Sequence, residues 1–307
     1  MASDHSDLAD CHGKIVCGAI SVTDLDRSIA LYTEFLKHEV VDKGQIDNTL
    51  AQLWGAPEMV GARFALLQPT SGFRCYLRLI EVPSTPGFKP AQTYGWSAYE
   101  ICVADVFELA KQLADSDFKI VGPPKLVDGF SSFIPMQVYG PDGEILFLNQ
   151  VNHSDDDADL PIAQSEVDHI FIAVLGTRDR ESCVSDLARD LALDRAGTHH
   201  FRYSLINRAF ALPAETQHTI TMVQHGRTPC LQVDQLPDAA QARPQHSGWL
   251  PPGNSMLTLV VDSLDALPID AQAVSPPIPV NGPLYEGRQV VTIRCGDSAL
   301  LELVALN

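Results

Sequence analysis

The sequence predicts an α+β fold built from four copies of one strand–helix–strand unit, and three observations predict it. An apolar strand that hands over to an amphipathic helix or its remnant occurs near Lys14, Ser97, His169 and Ser255. Each copy is followed by further short apolar segments bounded by turn residues. Near the middle, Asn152 to Asp159 is polar, acidic and without an apolar anchor, which reads as a solvated linker.

The units follow in chain order. In the first, residues 14–22 form a strand, Thr23 and Asp24 offer capping oxygens, and Ile29, Tyr32, Phe35 and Leu36 share one helical face. Residues 64–67 and 73–82 then read as two strands around the Pro69-Thr70-Ser71-Gly72 turn. The second unit opens with a strand over 97–103. Asp105 caps a helix through Val106, Leu109, Ala110 and Leu113, and a Gly140-Pro141-Asp142-Gly143 turn joins two closing strands. In the third, a strand around His169 leads to a cap at Thr177, a helix through Val184, Leu187, Ala188 and Leu191, and strands near 200–205 and 219–224. A loop over roughly 229–254 leads to the fourth unit, where 256–261 is a strand and Pro268 cuts its helix short. Residues 289–294 and 299–304 close the chain.

The expected organisation is therefore a polar tail (1–13), a first domain of two units (14–151), an acidic linker (152–164) and a second domain of two units (165–307). The 21 Lys and Arg against 39 Asp and Glu give a formal charge of -18. Such a surface repels phosphate backbones and anionic lipid, which excludes nucleic acid and membrane as partners. No apolar run approaches a bilayer span, and the start lacks the basic and apolar regions of a secretory signal. Seven scattered cysteines without C-x-x-C spacing fit reduced thiols and a cytoplasmic location.

Residues 15–32, the Gly140–Leu148 turn and strand, and Val167-Asp168-His169-Ile170 together resemble the vicinal oxygen chelate superfamily, which includes glyoxalases, bleomycin-resistance proteins and extradiol dioxygenases. The resemblance covers nearly the whole chain. It implies four βαβββ modules paired into two cupped mixed sheets. It also implies a single divalent metal (iron, manganese, zinc or nickel) held by residues of the first and last strands of paired units. Carried over position by position, those slots hold Cys17, Glu81, Ala98 and Phe147 in the first half, and His169, Gln224, Met256 and Glu302 in the second. Ala and Phe offer a cation nothing, and Met is a soft ligand. The expected metal set is therefore His169, Gln224 and Glu302, with Cys17, Ala98, Phe147 and Met256 lining substrate pockets. Glu81 and Glu100 are the acid/base candidates of a metal-free site.

Plainer readings stand beside these. His169 is also what a buried, hydrogen-bonded histidine looks like, Gln224 an ordinary strand amide, Glu81 a rim carboxylate and Cys17 a small core residue. His199, His200, His218 and His225 read as surface or turn residues, and Asp155–Asp157 lack the glycine and distal glutamate of a calcium loop. Two functions follow. One is an enzyme acting on a small oxygenated organic molecule, aromatic ones included, by metal- or carboxylate-assisted proton transfer, of lyase, isomerase or dioxygenase type. The other is a metal-independent small-molecule-binding protein with a degenerate metal site; an inactive scaffold is the third option. A homodimer is compatible with either.

Overall fold

A computed structural model describes residues 10–126, 132–154 and 158–306. The described chain forms sixteen strands and five α-helices. The first unit holds β1 (Ile15–Val22), α1 (Leu25–Phe35), β2 (His38–Gln45), α2 (Asn48–Leu53), β3 (Arg63–Pro69) and β4 (Tyr76–Glu81). The second holds β5 (Gly95–Val103), α3 (Val106–Leu113), β6 (Lys119–Gly122), β7 (Phe133–Tyr139) and β8 (Ile145–Val151). The third comprises β9 (Val167–Thr177), α4 (Arg180–Leu191), β10 (Asp194–Arg202), α5 (Ser204–Ala209), β11 (Gln217–His225) and β12 (Thr228–Gln235). The fourth comprises β13 (Gly253–Val261), β14 (Ile278–Pro279), β15 (Gln289–Cys295) and β16 (Ala299–Ala305).

Local chemistry sets the helix starts. Asp24, Asp105 and Asp179 are N-caps whose carboxylates accept backbone N–H bonds from the first turns of α1, α3 and α4. The third of these moves the cap expected at Thr177 two residues on. Pro268 acts as expected, since no α-helix forms among the described residues between β13 and β14. No described helix is long and apolar enough to cross a membrane.

The strands form two eight-stranded mixed sheets, in the orders β14-β15-β16-β13-β1-β4-β3-β2 and β10-β11-β12-β9-β5-β8-β7-β6. This confirms the α+β class and the paired, cupped sheets but corrects the pairing. The first unit joins the fourth through antiparallel β1 and β13, and the second joins the third through antiparallel β5 and β9. The halves 14–151 and 165–307 thus do not each close a sheet. The segment between them connects the two units of one sheet, and its Asp155–Asp157 run lies outside the described residues, as do residues 1–9 of the tail.

Each sheet has one face toward the main core and one lining its own cup. The main core gathers residues of all four units, among them Ile20, Leu77, Tyr99, Leu148, Leu175, Leu257 and Leu303. The sheets approach closely at Gly18, where a β-carbon would lie 2.6 Å from Ile170 Cδ1 and 2.7 Å from Tyr99 Cε2. Beside it, a register slip between Ala19 and Ile20 frees carbonyls of the β1–β13 pair. The Tyr99 hydroxyl lies 2.9 Å from the Ala19 oxygen and 2.8 Å from that of Met256. A residue of the second unit thus locks the seam between the first and fourth.

Candidate functional site

Strand register decides which side chains enter each cup, because neighbouring residues point to opposite faces. In the fourth unit Met256 pairs with Leu300 and Thr258 with Glu302; in the second, Glu100 pairs with Phe147; in the first, Ala19 pairs with Arg78. The last-strand slot equivalent to Glu302 is therefore Arg78 in the first unit, not Glu81. Glu81 faces the other way. Its Oε1 accepts the Leu25 backbone N–H at 3.2 Å, 3.8 Å from the Arg63 guanidinium, and its side chain is 31 % exposed. It serves the start of α1 and is no acid/base group of a cup.

The cup of the first and fourth units is closed by an ion pair. Glu302 is fully buried; its Oε1 accepts from Trp54 Nε1 and the Tyr285 hydroxyl, both at 2.8 Å, and its Oε2 from Thr258 Oγ1 at 2.8 Å. Arg78 Nη2 stands 3.8 Å from Glu302 Oε2 and donates to the Tyr285 hydroxyl at 2.7 Å, with the guanidinium over the Trp54 and Tyr285 rings. Burial opposes the charge on Arg78, but Tyr285, Cys17 and Glu302 outweigh it and raise its pKa. Cys17 and Met256 line the same apolar cluster, and burial pushes the Cys17 thiol up to about 11. A guanidinium thus stands among the slots a divalent ion would use, and Glu302 has no oxygen to spare. These residues do not fit a metal.

The expected set of His169, Gln224 and Glu302 is also divided. Glu302 lies on the first sheet, the other two on the second. Gln224 lies on β11, not on the last strand of its unit, and its Nε2 donates to the Gly226 carbonyl at 2.6 Å. The last strand is β12, within the segment read as a loop. His169 has other neighbours. Ile101 pairs with Ile170 and Val103 with Val167, so Cys102 faces both Asp168 and His169 across a bulge. The ligand atoms of these three lie within 4.8 Å of one another, close enough to share one ion. They are nonetheless already satisfied. Asp168 accepts from Ser71 Oγ, the Gln164 backbone N–H and His169 Nδ1 at 2.7, 2.6 and 3.2 Å. The Cys102 thiol addresses that same Nδ1 at 3.7 Å and is pushed up to about 12 by burial, while the ring stacks on Phe73 at 3.6 Å. With thiol and carboxylate on one nitrogen, the trio has no relay geometry, and an ion would have to displace bonds already made.

The cup of the second and third units is different. Ala98 and Phe147 share its buried apolar lining with Val174 and Tyr203. Glu100 also enters it, 7 % exposed, with Asn149 Nδ2 donating to its Oε2 at 2.6 Å. Burial raises the Glu100 carboxyl to about 8, against the Asn149 bond, and the charge of Asp234 adds to the rise. Asp234 on β12, 3 % exposed, accepts from Gln232 Nε2 at 2.8 Å and is raised by burial to about 7. Tyr203, buried beside them and hydrogen-bonded by Gln232, is held well above its usual pKa by burial and by the charges of Asp234 and Glu100. Asn149 Oδ1 is buried with no hydrogen-bond partner. His218, read from sequence as a surface residue, is buried at the edge of this group and meets Asn207 Oδ1 at 2.6 Å.

Sequence reasoning therefore found Glu100 but missed Arg78, Asn149, Asp234 and Tyr203. A signal existed for two of them: Arg78 alternates with the apolar Leu77 and Leu79, and Asp234 and Gln232 with Leu231 and Val233.

No family model and no curated protein matches this sequence. Among solved structures, glyoxalase I of Zea mays is similar at a TM-score of 0.61 and 16% identity, covering 95% of this chain and 92% of its own. A Bacillus subtilis structure with a provisional dioxygenase assignment follows at 0.59 and 11%, covering 97% and 86%. The chain shares the fold of these two structures.

Two outcomes test this anatomy. Glu302→Ala should cost about 3–5 kcal/mol in urea unfolding, because it strands a buried guanidinium, and Arg78→Met with Glu302→Met should recover much of that. A cost within about 0.5 kcal/mol would show the pair does not hold the cup. Glu100, Asp234 and Glu144, raised to about 8, 7 and 7, keep protons that the unfolded chain releases near its ordinary carboxylate pKa. The folded state binds more protons in that window, so unfolding midpoints should fall from about pH 5 to about pH 8. Glu100→Gln should flatten the decline; an unchanged slope would contradict the assignment.

Proposed function

We propose that the chain is an enzyme that moves a proton on a small molecule carrying adjacent oxygen groups, with Glu100 as the acid/base. The observation that carries this reading is one side chain: a carboxyl 7 % exposed in the second cup, with one hydrogen bond from Asn149, which burial pushes up to about 8. Proton transfer is most effective when the pKa of the group lies near the working pH. The ionised fraction of Glu100 takes the proton from carbon next to a carbonyl, and the protonated form returns it to the neighbouring carbon. That exchange is an isomerase step. Asp234, raised to about 7, is a second group able to receive or resupply the proton. Tyr203 stays neutral and can donate its hydroxyl proton to the developing oxyanion, while the free Asn149 Oδ1 can accept from a substrate hydroxyl.

This reading routes no step through a metal. Arg78 takes the place of a cation in one cup, and Ala98 and Phe147 leave two slots of the other without ligand atoms. Cys102, Asp168 and His169 have the spacing for one ion, but their donors are engaged with one another. The apolar lining from Phe147, Val174 and Tyr203 supports a second reading, a protein that binds such a molecule without changing it.

Proton exchange in heavy water separates the two. With a panel of 1,2-dicarbonyl and α-hydroxycarbonyl compounds followed by proton NMR, the native protein should catalyse exchange at carbon, before and after dialysis against a chelator. Glu100→Gln should lower that rate about 100-fold or more while calorimetric affinity survives. Binding without exchange would favour the binding protein. Loss of exchange on chelation, with one metal per chain lost in His169→Ala, would place the chemistry on the His169 trio instead.

A further inference from the structure

The segment between β12 and β13 passes from the second sheet to the first, and it carries a half-buried charge with no counter-charge among the described residues. Arg243 donates from Nε to Thr93 Oγ1 at 3.1 Å, from Nη1 to the carbonyls of Pro252 and Asn254 at 3.3 and 2.7 Å, and from Nη2 to the Trp96 carbonyl at 2.8 Å. All four acceptors are neutral. Among the described residues no carboxylate lies within ion-pair distance of this guanidinium. Burial alone pulls its pKa down to about 10, still leaving it charged. A half-buried ion whose partners are neutral oxygens and the face of the Phe88 ring, 5.5 Å away, is costly, and the cost falls when an opposite charge is brought within reach.

The side chain forms one wall of a cleft of about 310 Å³ where the ends of the two sheets meet. Arg178, after β9, and Arg294, on β15, line the same cleft from either side, with the Ser255 and Gln245 side chains beside them. The Arg294 guanidinium donates to the Ser298 carbonyl at 3.5 Å, and no carboxylate pairs with it among the described residues. Arg178 lies over the Tyr94 ring, and its Nε is 3.8 Å from Asp297, whose other oxygen is taken by the Arg178 backbone N–H at 2.7 Å. Three guanidiniums thus face one carboxylate, in a chain whose formal charge is -18. A second recess of about 320 Å³ shares Tyr94 and Arg178 and offers room, with an aromatic wall, for the body of a small molecule.

We infer that this inter-sheet cleft is a binding site for a small organic anion, whose oxyanion group sits among Arg178, Arg243 and Arg294 and supplies the missing counter-charge. The site is separate from Glu100 and does not depend on the reaction assigned to it. Arginine suits the role because its planar fork matches carboxylate and phosphate oxygens. Arg243, fixed by its four carbonyl and hydroxyl bonds, is ordered before the anion arrives, whereas Arg178 and Arg294 are exposed and free to close on it.

The test uses the full chain, titrated with inorganic phosphate and separately with benzoate by calorimetry, with ionic strength held constant using sodium chloride. Saturable binding of at least one probe is expected, weakened tenfold or more in the Arg178→Ala/Arg294→Ala variant. Those two side chains are on the surface, and an unchanged circular dichroism spectrum will show that the fold persists. Phosphate binding alone would assign the phosphate-monoester class, benzoate alone the carboxylate class, and both a general oxyanion site. No saturable binding of either probe, or equal binding by the variant, overturns the inference.

Discussion

Antiparallel pairing of first strands across units, β1 with β13 and β5 with β9, is the constraint from which the rest of this molecule follows. A single βαβββ unit has one free edge on its first strand and cannot leave that edge unpaired without exposing a row of backbone donors and acceptors. Joining first strand to first strand removes both edges and bends the joint sheet into a cup lined by two units. The chain does this between the outer pair and the inner pair of units. Residues more than 200 apart in sequence, such as Trp54 and Glu302, therefore share one hydrogen bond.

One template has produced two cups of opposite character. In the first, the two last-strand slots have become a cation and an anion, and the space is filled by Trp54, Tyr285 and Thr258. The arrangement is internally neutral and its carboxylate is satisfied, which suits a structural element. In the second, the two buried charges, Glu100 on a first strand and Asp234 on a last strand, have the same sign and no cation pairs with them among the described residues, so burial drives protons onto both. A carboxyl held near neutrality at the cost of stability is what a proton-transfer group requires. The sheet-end cleft repeats the theme with the sign reversed, a guanidinium half-buried without its anion. In both places the folded chain keeps a charge problem that only a proton or a ligand relieves.

Much of this was legible before any coordinates. The first strands and their helices carry their own signals: apolar runs, Asp caps and i, i+3, i+4 spacing at β1–α1, β5–α3 and β9–α4. The two-residue spacing of Ala98 and Glu100 puts both on one face of β5, the face that lines the second cup. What failed had physical reasons. β2 is an edge strand with most of its residues exposed, so no apolar alternation marks it. β12 begins beside Pro229, which masked a strand whose cup face is polar. Above all, local pattern cannot say which units pair, and pairing decides whether His169 and Glu302 meet. Within units the slots were misplaced twice, since Arg78 rather than Glu81 faces the first cup and Gln224 lies on β11 rather than on the last strand of its unit, and the partners assigned across units were different from those that pair.

The central claim is that Glu100 holds its proton through neutral pH inside the second cup. Difference infrared spectroscopy of the native protein and Glu100→Gln reads that proton directly, through the carbonyl stretch of a protonated carboxyl group. The account predicts a band absent from the variant that persists at pH 7 and vanishes as pH rises through about 8. A Glu100 band already lost by about pH 5, where an exposed carboxyl ionises, would contradict it.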